Sequence, residues 1–280
     1  MNALPALPEL QLIAVDAAAS GMEGARMSYM EAGASMAGAP IVLLHGIGSN
    51  CTGWRFLYEA LGRETRVIGW NAPGYYLSDN FAAEAPTHWQ YADALAALMD
   101  ALGIERAHVV GSSFGSMVGM SFAARHPDRV VRLALLGGSR GQKWLPAEER
   151  TRRLAMRDAA AAEGAVAMSE KRWRVLLGPA PSETVVSLTR ALLMGTHPRG
   201  YRQAARTSDA VDVCEFADRI AAPTLFVVGD ADQVNPPEVT RALAERVAGS
   251  VVEILPGVGH LPKFEAPERT IALLRRHFAQ

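Results

Sequence analysis

The sequence predicts an α/β fold: a mostly parallel, doubly wound sheet with a helical insertion after its sixth strand. Short apolar runs rich in β-branched residues recur along the chain, and their hydrophobicity is continuous, as in strands covered on both faces. Helix-like segments separate these runs, and such an alternation builds a parallel sheet. The length of 280 residues suffices for one such domain and a modest insertion.

The strands are predicted from the apolar runs, of which the first two are interpreted as antiparallel edge strands. The runs are Leu10–Val15, Arg26–Glu31, Ile41–His45, Val67–Trp70, His108–Gly111, Val130–Leu136, Thr224–Val228 and Val251–Leu255. Helices are predicted between and after them, with Thr87 as a cap, Gly103 as a stop and Pro236 in a first turn. These helices extend over residues 87–102, 114–125, 236–248 and 267–278.

Residues 141–222 break this alternation, because they contain helical stretches and no convincing strand. The stretches are Pro146–Glu163, Ala165–Leu177, Ser182–Met194 and Arg199–Arg206, separated by breaks rich in glycine and proline. We interpret residues 141–222 as a helical lid, or cap, and residues 1–140 and 223–280 as the α/β core.

The composition and net charge of the chain indicate which kinds of molecule it is expected to bind. The chain carries 28 basic and 29 acidic residues, a formal net charge of −1, which predicts no strong attraction to nucleic acid or to an anionic membrane. Two distant cysteines favour free thiols in a reducing compartment. Without a signal-peptide pattern or an apolar run long enough for a membrane helix, we expect a cytoplasmic location. The expected partner is a small-molecule substrate; the oligomeric state stays open.

Ser113 is the candidate nucleophile. The segment GSSFG, residues 111–115, fits the pattern G-x-S-x-G and lies between a predicted strand and a predicted helix. On such a tight turn the serine is exposed to substrate, the flanking glycines avoid Cβ clashes, and the helix directs N–H groups at the site. Ser112 and Ser116 lack glycines at both flanking positions. The alternative is a serine that only caps the helix.

Two backbone N–H groups form the candidate oxyanion hole. The tetrahedral intermediate of acyl transfer needs donors aimed at its oxygen. Phe114, directly after the candidate nucleophile, supplies one, and Ile47, in the loop after the strand Ile41–His45, supplies the other. His45 is interpreted as bracing its own loop by hydrogen bonds rather than as the base.

A serine nucleophile needs a base, and the base needs an orienting acid. In this architecture the chain order is serine, acid, histidine. His260 is the histidine that lies in a glycine-rich loop after a late strand. Spacing alone does not separate Asp230 from Asp232 as the acid. We favour Asp232, because it lies further from the strand, where a carboxylate can reach the neighbouring loop.

The chain resembles the α/β-hydrolase superfamily, and within it the group of enol-lactonases, small carboxylesterases, cofactor-free haloperoxidases and meta-cleavage carbon–carbon hydrolases. The segments that carry the resemblance are LLHGIGSN, VIGWNAPGYYLSD, VVGSSFGSMVG, APTLFVVGDADQVNP and GVGHLPKFEAPE. The resemblance implies an α/β-hydrolase fold, Asp232 as the catalytic acid and Ile47 as an oxyanion donor. It covers the core and is weak in the lid.

At several positions the chain differs from the patterns of particular α/β-hydrolase groups, and these differences argue against the activities of those groups. Serine at position 113 argues against dehalogenases and epoxide hydrolases, which use aspartate. Meta-cleavage hydrolases usually carry asparagine before the serine and tryptophan after the histidine, where this chain has Ser112 and Leu261. Tyr76 replaces a glycine common in relatives, and a bulkier pocket wall is one interpretation.

The predicted function is hydrolysis of an ester or lactone of a small, partly apolar substrate through an acyl-enzyme. No metal or organic cofactor is expected, because the sequence carries no zinc spacing, P-loop or dinucleotide fingerprint. The alternatives are carbon–carbon bond hydrolysis of the meta-cleavage type, cofactor-free haloperoxidase or lyase chemistry, and a ligand receptor without turnover.

Substrate contacts are predicted from the turn after the third strand and from the lid. Gly46 is expected at the site, and Trp173 and Met194 belong to a set of large apolar lid residues, some of which must face the serine. Arg172, Arg174 and Arg190 are candidates to bind a substrate carboxylate, although solvated arginines are the commoner case. An enol-lactone or dicarboxylate monoester is favoured if one of them points inward.

Overall fold

A computed structural model describes residues 4–34 and 37–279. Within these residues, eight strands form one sheet in the order β1-β2-β4-β3-β5-β6-β7-β8. Their bounds are β1 (Leu10–Ala14), β2 (Arg26–Ala32), β3 (Ile41–Leu44), β4 (Val67–Trp70), β5 (Ala107–Ser112), β6 (Val130–Leu136), β7 (Thr224–Gly229) and β8 (Val251–Leu255). Strands β3 to β8 pair in parallel, whereas β1 pairs antiparallel with β2 and β2 with β4. The predicted sheet is therefore confirmed, except that β2 lies inside its edge.

The helices flank the sheet and also form the insertion between β6 and β7. Their bounds are α1 (Ala17–Ser20), α2 (Arg55–Leu61), α3 (His88–Ala101), α4 (Phe114–Arg125), α5 (Ala147–Glu163), α6 (Ala165–Leu176), α7 (Glu183–Met194), α8 (Pro198–Ala210), α9 (Pro237–Ala244), α10 (Pro262–Glu265) and α11 (Pro267–Phe278). Thr87 and Gln90 form a capping box that begins α3. Of the described helices, none combines the length and the apolar character needed to cross a bilayer.

Alternate residues of each strand pack on opposite faces of the sheet. In β3, Val42 and Leu44 belong to one hydrophobic cluster with residues of α3 and α4, whereas Ile41 and Leu43 belong to another with residues of α2 and α11. Because both faces of the strand are covered by helices, both sets of side chains are apolar. This packing explains the continuous hydrophobic runs in the sequence.

The insertion consists of α5 to α8, as the sequence predicts, and it is attached to the core by hydrogen bonds. The side chain of Gln203 in α8 donates to the carbonyl oxygens of Phe81 and Ala83. The backbone N–H of His260 donates to the carbonyl oxygen of Leu176 at 2.8 Å. These contacts place α6 and α8 beside the carboxyl ends of the parallel strands. The boundaries of a separate lid, residues 141–222, stay a prediction.

Candidate active site

Ser113 lies on a strained turn between β5 and α4. Its backbone has φ 55° and ψ −117°, which an L residue rarely adopts. A Cβ atom on Gly115 would lie 2.0 Å from the carbonyl oxygen of Leu44, and one on Gly111 would lie 2.3 Å from that of Gly115. Both glycines are therefore required by close backbone contacts, which explains the G-x-S-x-G pattern physically.

The strain at Ser113 leads to a prediction about stability. Glycine adopts this conformation without a Cβ penalty, although it loses more chain entropy on folding. We expect Ser113→Gly to have a free energy of unfolding about 1 kcal/mol higher than Ser113→Ala. Urea denaturation of the two variants measures the difference. Equal stabilities would contradict the strain that we assign to this turn.

Asp232 and His260 form a buried pair. The Nδ1 atom of His260 lies 2.7 Å from Oδ2 of Asp232, and both side chains are almost completely buried. The other carboxylate oxygen accepts hydrogen bonds from the backbone N–H groups of Val234 and Asn235 at 2.8 and 2.9 Å. An ionised carboxylate can only accept hydrogen bonds, so Nδ1 of His260 carries its proton toward Asp232, and Nε2 is left for another group.

Asp230 has a different position. Its Oδ1 atom accepts a hydrogen bond from the backbone N–H of Gly257 at 2.7 Å, in an exposed turn after β8. Asp230 therefore braces the loop that leads to the histidine, whereas Asp232 contacts the histidine itself. Sequence spacing alone does not separate Asp230 from Asp232, because the two residues lie only two positions apart. In the structure their carboxylates contact different loop segments, and the carboxylate of Asp232 is the one that contacts His260.

One cavity of about 380 Å³ brings the candidate nucleophile, the candidate base and the candidate oxyanion loop together. Ser113 and His260 both line it, and so do Gly46, Ile47 and Phe114. Its volume is in the range of small-molecule sites. Asp232 lies behind His260. Within the described residues, His, Cys, Asp and Glu side chains form no group of three that could hold a metal ion.

The candidate oxyanion loop approaches Ser113 closely. A Cβ atom on Gly46 would lie 3.1 Å from Cβ of Ser113, tighter than most Cβ contacts, so the absence of a side chain on Gly46 favours this close approach. Phe114 is the first residue of α4, where N–H groups have no acceptor inside the helix. The N–H groups of Ile47 and Phe114 are therefore the candidate oxyanion donors at this end of the cavity.

His45 braces this loop, as its place at the end of a buried strand predicts. Nδ1 donates to the carbonyl oxygen of Gly46 at 2.9 Å, and Nε2 accepts from the backbone N–H of Ala72 at 3.0 Å. Burial lowers the pKa of His45 to about 4, so the ring is neutral. Both ring nitrogens are occupied by the backbone, which leaves neither for proton transfer.

Four predicted substrate contacts in the insertion are not among the residues that line the cavity. Trp173 packs against two hydrophobic clusters, one within the insertion and one that the insertion shares with α10. Arg174 stacks on the Trp173 ring, 4.6 Å from its centroid. Arg190 forms an ion pair with Glu170 on the outer surface. Met194 is 55% exposed. Helical spacing predicts the helices but does not reveal which face of each helix is turned toward the serine.

Other residues of the insertion line the cavity instead. Those on helices α5 to α8 are Arg153, Arg157, Arg172, Leu176, Thr189, Leu192, Leu193 and Ser208, and Gly141, Gln142, Trp144 and Leu145 line it from the segment before α5. Arg172 was one of the arginines considered from the sequence, whereas Arg153 and Arg157 were missed. Their spacing of four residues on α5 was the available signal, because it places them on one helix face.

Glu265 also escaped the sequence analysis, although it lies in the segment GVGHLPKFEAPE. Its carboxylate accepts hydrogen bonds from the backbone N–H groups of Gly178, Gly259 and Leu261. It therefore ties the end of α6 to both neighbours of His260. We assign Glu265 a positioning role for the histidine loop.

Tyr76 is not among the residues that line the cavity of Ser113, so the interpretation of a bulkier wall of that cavity is wrong. Its side chain is 37% exposed and lies away from the cavity of Ser113. Its backbone has φ 40°, in the left-handed region that favours glycine. A glycine would adopt this backbone conformation without the Cβ penalty that a tyrosine carries there.

Comparisons with known proteins identify the family to which this fold belongs. A family profile described as "alpha/beta hydrolase fold" matches residues 39–267. The chain belongs to this family. The α/β-hydrolase match covers the sheet from β3 onward, the insertion and all the candidate site residues.

Individual α/β-hydrolase relatives are similar over most of their length. The chain is 28% identical to 2-hydroxy-6-oxononadienedioate/2-hydroxy-6-oxononatrienedioate hydrolase 2 of Pseudomonas putida, covering 81% of this chain and 83% of that one. It is 26% identical to karrikin insensitive 2 receptor IA of Petunia hybrida, covering 85% and 90%. A thermophilic esterase from Thermogutta terrifontis superposes with a TM-score of 0.81 at 25% identity, covering 96% and 97%. The matches support hydrolase activity of the α/β-hydrolase type.

Lys263 is an unusual feature of this α/β-hydrolase cavity. It lines the cavity three residues after His260, is only 1% exposed, and its Nζ lies 4.0 Å from the ring centroid of Trp54. Burial lowers the pKa of Lys263 from its ordinary 10.5 to about 7. Between these two pKa values the unfolded chain binds a proton that the folded chain releases, so stability rises with pH there.

We expect Lys263→Met to raise the free energy of unfolding by about 1–4 kcal/mol near pH 6, where the buried ammonium is charged. The gain should shrink above about pH 9, where the amine of the folded wild-type protein is neutral. Urea denaturation of both proteins at the two pH values measures this. A loss of stability at the lower pH would show that the ammonium is stabilising.

Proposed function

We propose that this chain is a serine hydrolase that cleaves an ester or lactone of a small, partly apolar substrate. The observation that carries the proposal is the buried pair of His260 and Asp232, with Nδ1 and Oδ2 2.7 Å apart, in the wall of the cavity that Ser113 lines from its strained turn. A hydroxyl, an imidazole and an orienting carboxylate in this chain order are the parts that acyl transfer requires.

In the proposed first step, the Oγ atom of Ser113 attacks the substrate carbonyl, and Nε2 of His260 takes the hydroxyl proton. The positive charge on the imidazole lies beside Asp232, which does not itself become protonated. The carbonyl oxygen becomes an oxyanion within reach of the N–H groups of Ile47 and Phe114. The carbon–oxygen bond then breaks, and His260 returns the proton to the leaving alkoxide.

In the second step, water attacks the acyl-enzyme. Nε2 of His260 takes a proton from the water, the oxyanion forms again at the same donors, and the proton returns to Oγ of Ser113 as the acid leaves. With a lactone, the alcohol released in the first step stays attached to the acyl group. These steps use only water and groups of the chain itself.

The second candidate function is hydrolysis of a carbon–carbon bond, which the 28% identical dienedioate hydrolase favours. Ser112 and Leu261 differ from the residues usual in meta-cleavage hydrolases. Leu261 lines the cavity beside His260, and Ser112 lies at the end of β5. We therefore rank this activity below ester or lactone hydrolysis. A third candidate function is that of a receptor, which binds a ligand without turnover, because the chain is also 26% identical to a karrikin insensitive 2 receptor.

The test is labelling with a fluorophosphonate, followed by turnover of a panel of p-nitrophenyl esters, lactones and 2-hydroxy-6-oxodienoates. We expect rapid labelling, and the highest kcat/KM on an ester or a lactone. Preference for the dienoates would overturn the ranking in favour of carbon–carbon cleavage. Slow labelling with negligible turnover of every compound would favour a receptor.

A further inference from the structure

The cavity of Ser113 carries an excess of positive charge. Arg140, Arg153, Arg157, Arg172 and Lys263 line it, and Glu238 is the acidic residue that lines it within the part of the chain that the structure describes. Two of these cations are neutralised locally, because Arg140 pairs with Asp212 and Arg153 with Glu149. The other three have no carboxylate within ion-pair distance in the described residues.

Arg157 is the cation of this cavity with a buried nitrogen that lacks an acceptor in the described part of the chain. Its Nη1 atom is buried and has no hydrogen-bond acceptor among residues 4–34 and 37–279. Burial, together with the charges of Arg172 and Arg153, lowers the pKa of the guanidinium. A buried donor without an acceptor is unfavourable, and a buried charge without a counter-ion is more so. Such a group is suited to bind an anionic ligand, which supplies both the acceptor and the counter-charge.

Arg172 is held beside Arg157 by Tyr201. Its Nη1 atom donates to the hydroxyl of Tyr201 at 2.9 Å, and the rest of its guanidinium is left for a ligand. Tyr201 is fully buried, and its ring lies 3.6 Å from where a Cβ on Gly48 would be. Tyr201 thus connects Arg172 to the loop that holds the candidate oxyanion donor, and Arg157 lies near enough to both side chains to interact with them electrostatically.

We propose that Arg157 and Arg172 form an anion subsite, and that the substrate is an ester or lactone that also carries a carboxylate. The proposal rests on the proposed hydrolase function and names its substrate class. Two planar guanidinium groups match the paired oxygens of a carboxylate, and a cavity of about 380 Å³ leaves room for such a group beside a short acyl chain. The subsite differs from the contacts predicted from sequence, since Arg174 and Arg190 lie outside the cavity.

The test compares two esters that differ in one group, mono-p-nitrophenyl adipate and p-nitrophenyl hexanoate. We expect the wild-type protein to have the higher kcat/KM for the adipate, mainly through a lower KM. In Arg157→Met the ratio of the two kcat/KM values should fall about 10- to 100-fold, because a hydrogen-bonded charge is removed. Arg172→Met should lower the ratio as well, and Arg157→Lys should keep an intermediate ratio.

Arg152→Met is the matched control. Arg152 lies on the same helix, but its side chain is exposed and pairs with Glu149. The ratio should be unchanged in this variant. A wild-type preference for the hexanoate, or an equal ratio in wild type and Arg157→Met, would overturn the proposal.

Binding of adipate itself separates this proposal from the proposed function. Calorimetry on Ser113→Ala should detect adipate binding, and the additional change Arg157→Met should abolish it. If neither ester is hydrolysed but this binding pattern is found, the hydrolase function fails and the anion subsite stands. If the esters are hydrolysed without any dependence on Arg157, the subsite fails and the hydrolase function stands.

Discussion

Ser113→Ala is expected to lower kcat for an ester about 10⁴- to 10⁶-fold, the largest effect of any substitution in this chain. Oγ of Ser113 is the atom that forms the acyl bond in the proposed mechanism, and alanine removes it without changing the backbone. The cavity and the pair of His260 and Asp232 stay in place, so substrate binding should survive. Residual turnover would then come from the oxyanion donors and a water molecule.

The measurement is single-turnover release of p-nitrophenol, together with fluorophosphonate labelling, which the variant should lose completely. Ser112→Ala is the matched control, since it deletes the same atom one residue earlier and should keep kcat within about tenfold of wild type. Retention of labelling by Ser113→Ala, or a larger loss in Ser112→Ala, would assign the nucleophile to another residue.

The sheet was predictable because its strands are covered on both faces. In β3 and β7 every residue is buried, and such runs are continuous and apolar in the sequence. Helix α2 was missed, because it has only seven residues and no side-chain cap, and its stability comes from packing against β2 and α11. Helix α9 is shorter than predicted, ending at Ala244, where the chain tightens into turns.

The core of the candidate site was predictable because each part has a local sequence context. Ser113 lies between two glycines directly after a strand, and His260 follows two glycines in the loop after another strand, where backbone geometry selects the residue types. The residues predicted to contact substrate lie within helices, where no comparable local sequence pattern marks them. Arg190 faces outward because Glu170 pairs with it there, whereas Arg157 faces the cavity, and neither orientation follows from helical periodicity. Which face of an inserted helix covers the serine depends on contacts distant in sequence.

Asp232→Asn should lower kcat about 10³- to 10⁴-fold, because it reverses the hydrogen bonding of His260. The N–H groups of Val234 and Asn235 both donate to Oδ1 at 2.8 and 2.9 Å, so they require an acceptor at that position. The asparagine oxygen must take that place, and its NH₂ group then faces Nδ1 of His260. Nδ1 becomes an acceptor, the ring proton moves to Nε2, and the base can no longer take the proton of Ser113.

Asp230→Asn tests the same chemical change two residues earlier. Oδ1 of Asp230 accepts from Gly257 N–H at 2.7 Å, and an asparagine oxygen can accept the same bond without affecting any histidine tautomer. We expect kcat to stay within about threefold of wild type, with a modest loss of stability at most. Steady-state kinetics of both variants on one ester decides between the carboxylates. If Asp230→Asn were the more damaging, Asp232 would be a structural contact of the loop, and the orienting acid would have to reach His260 by a rearrangement of the turn after β7.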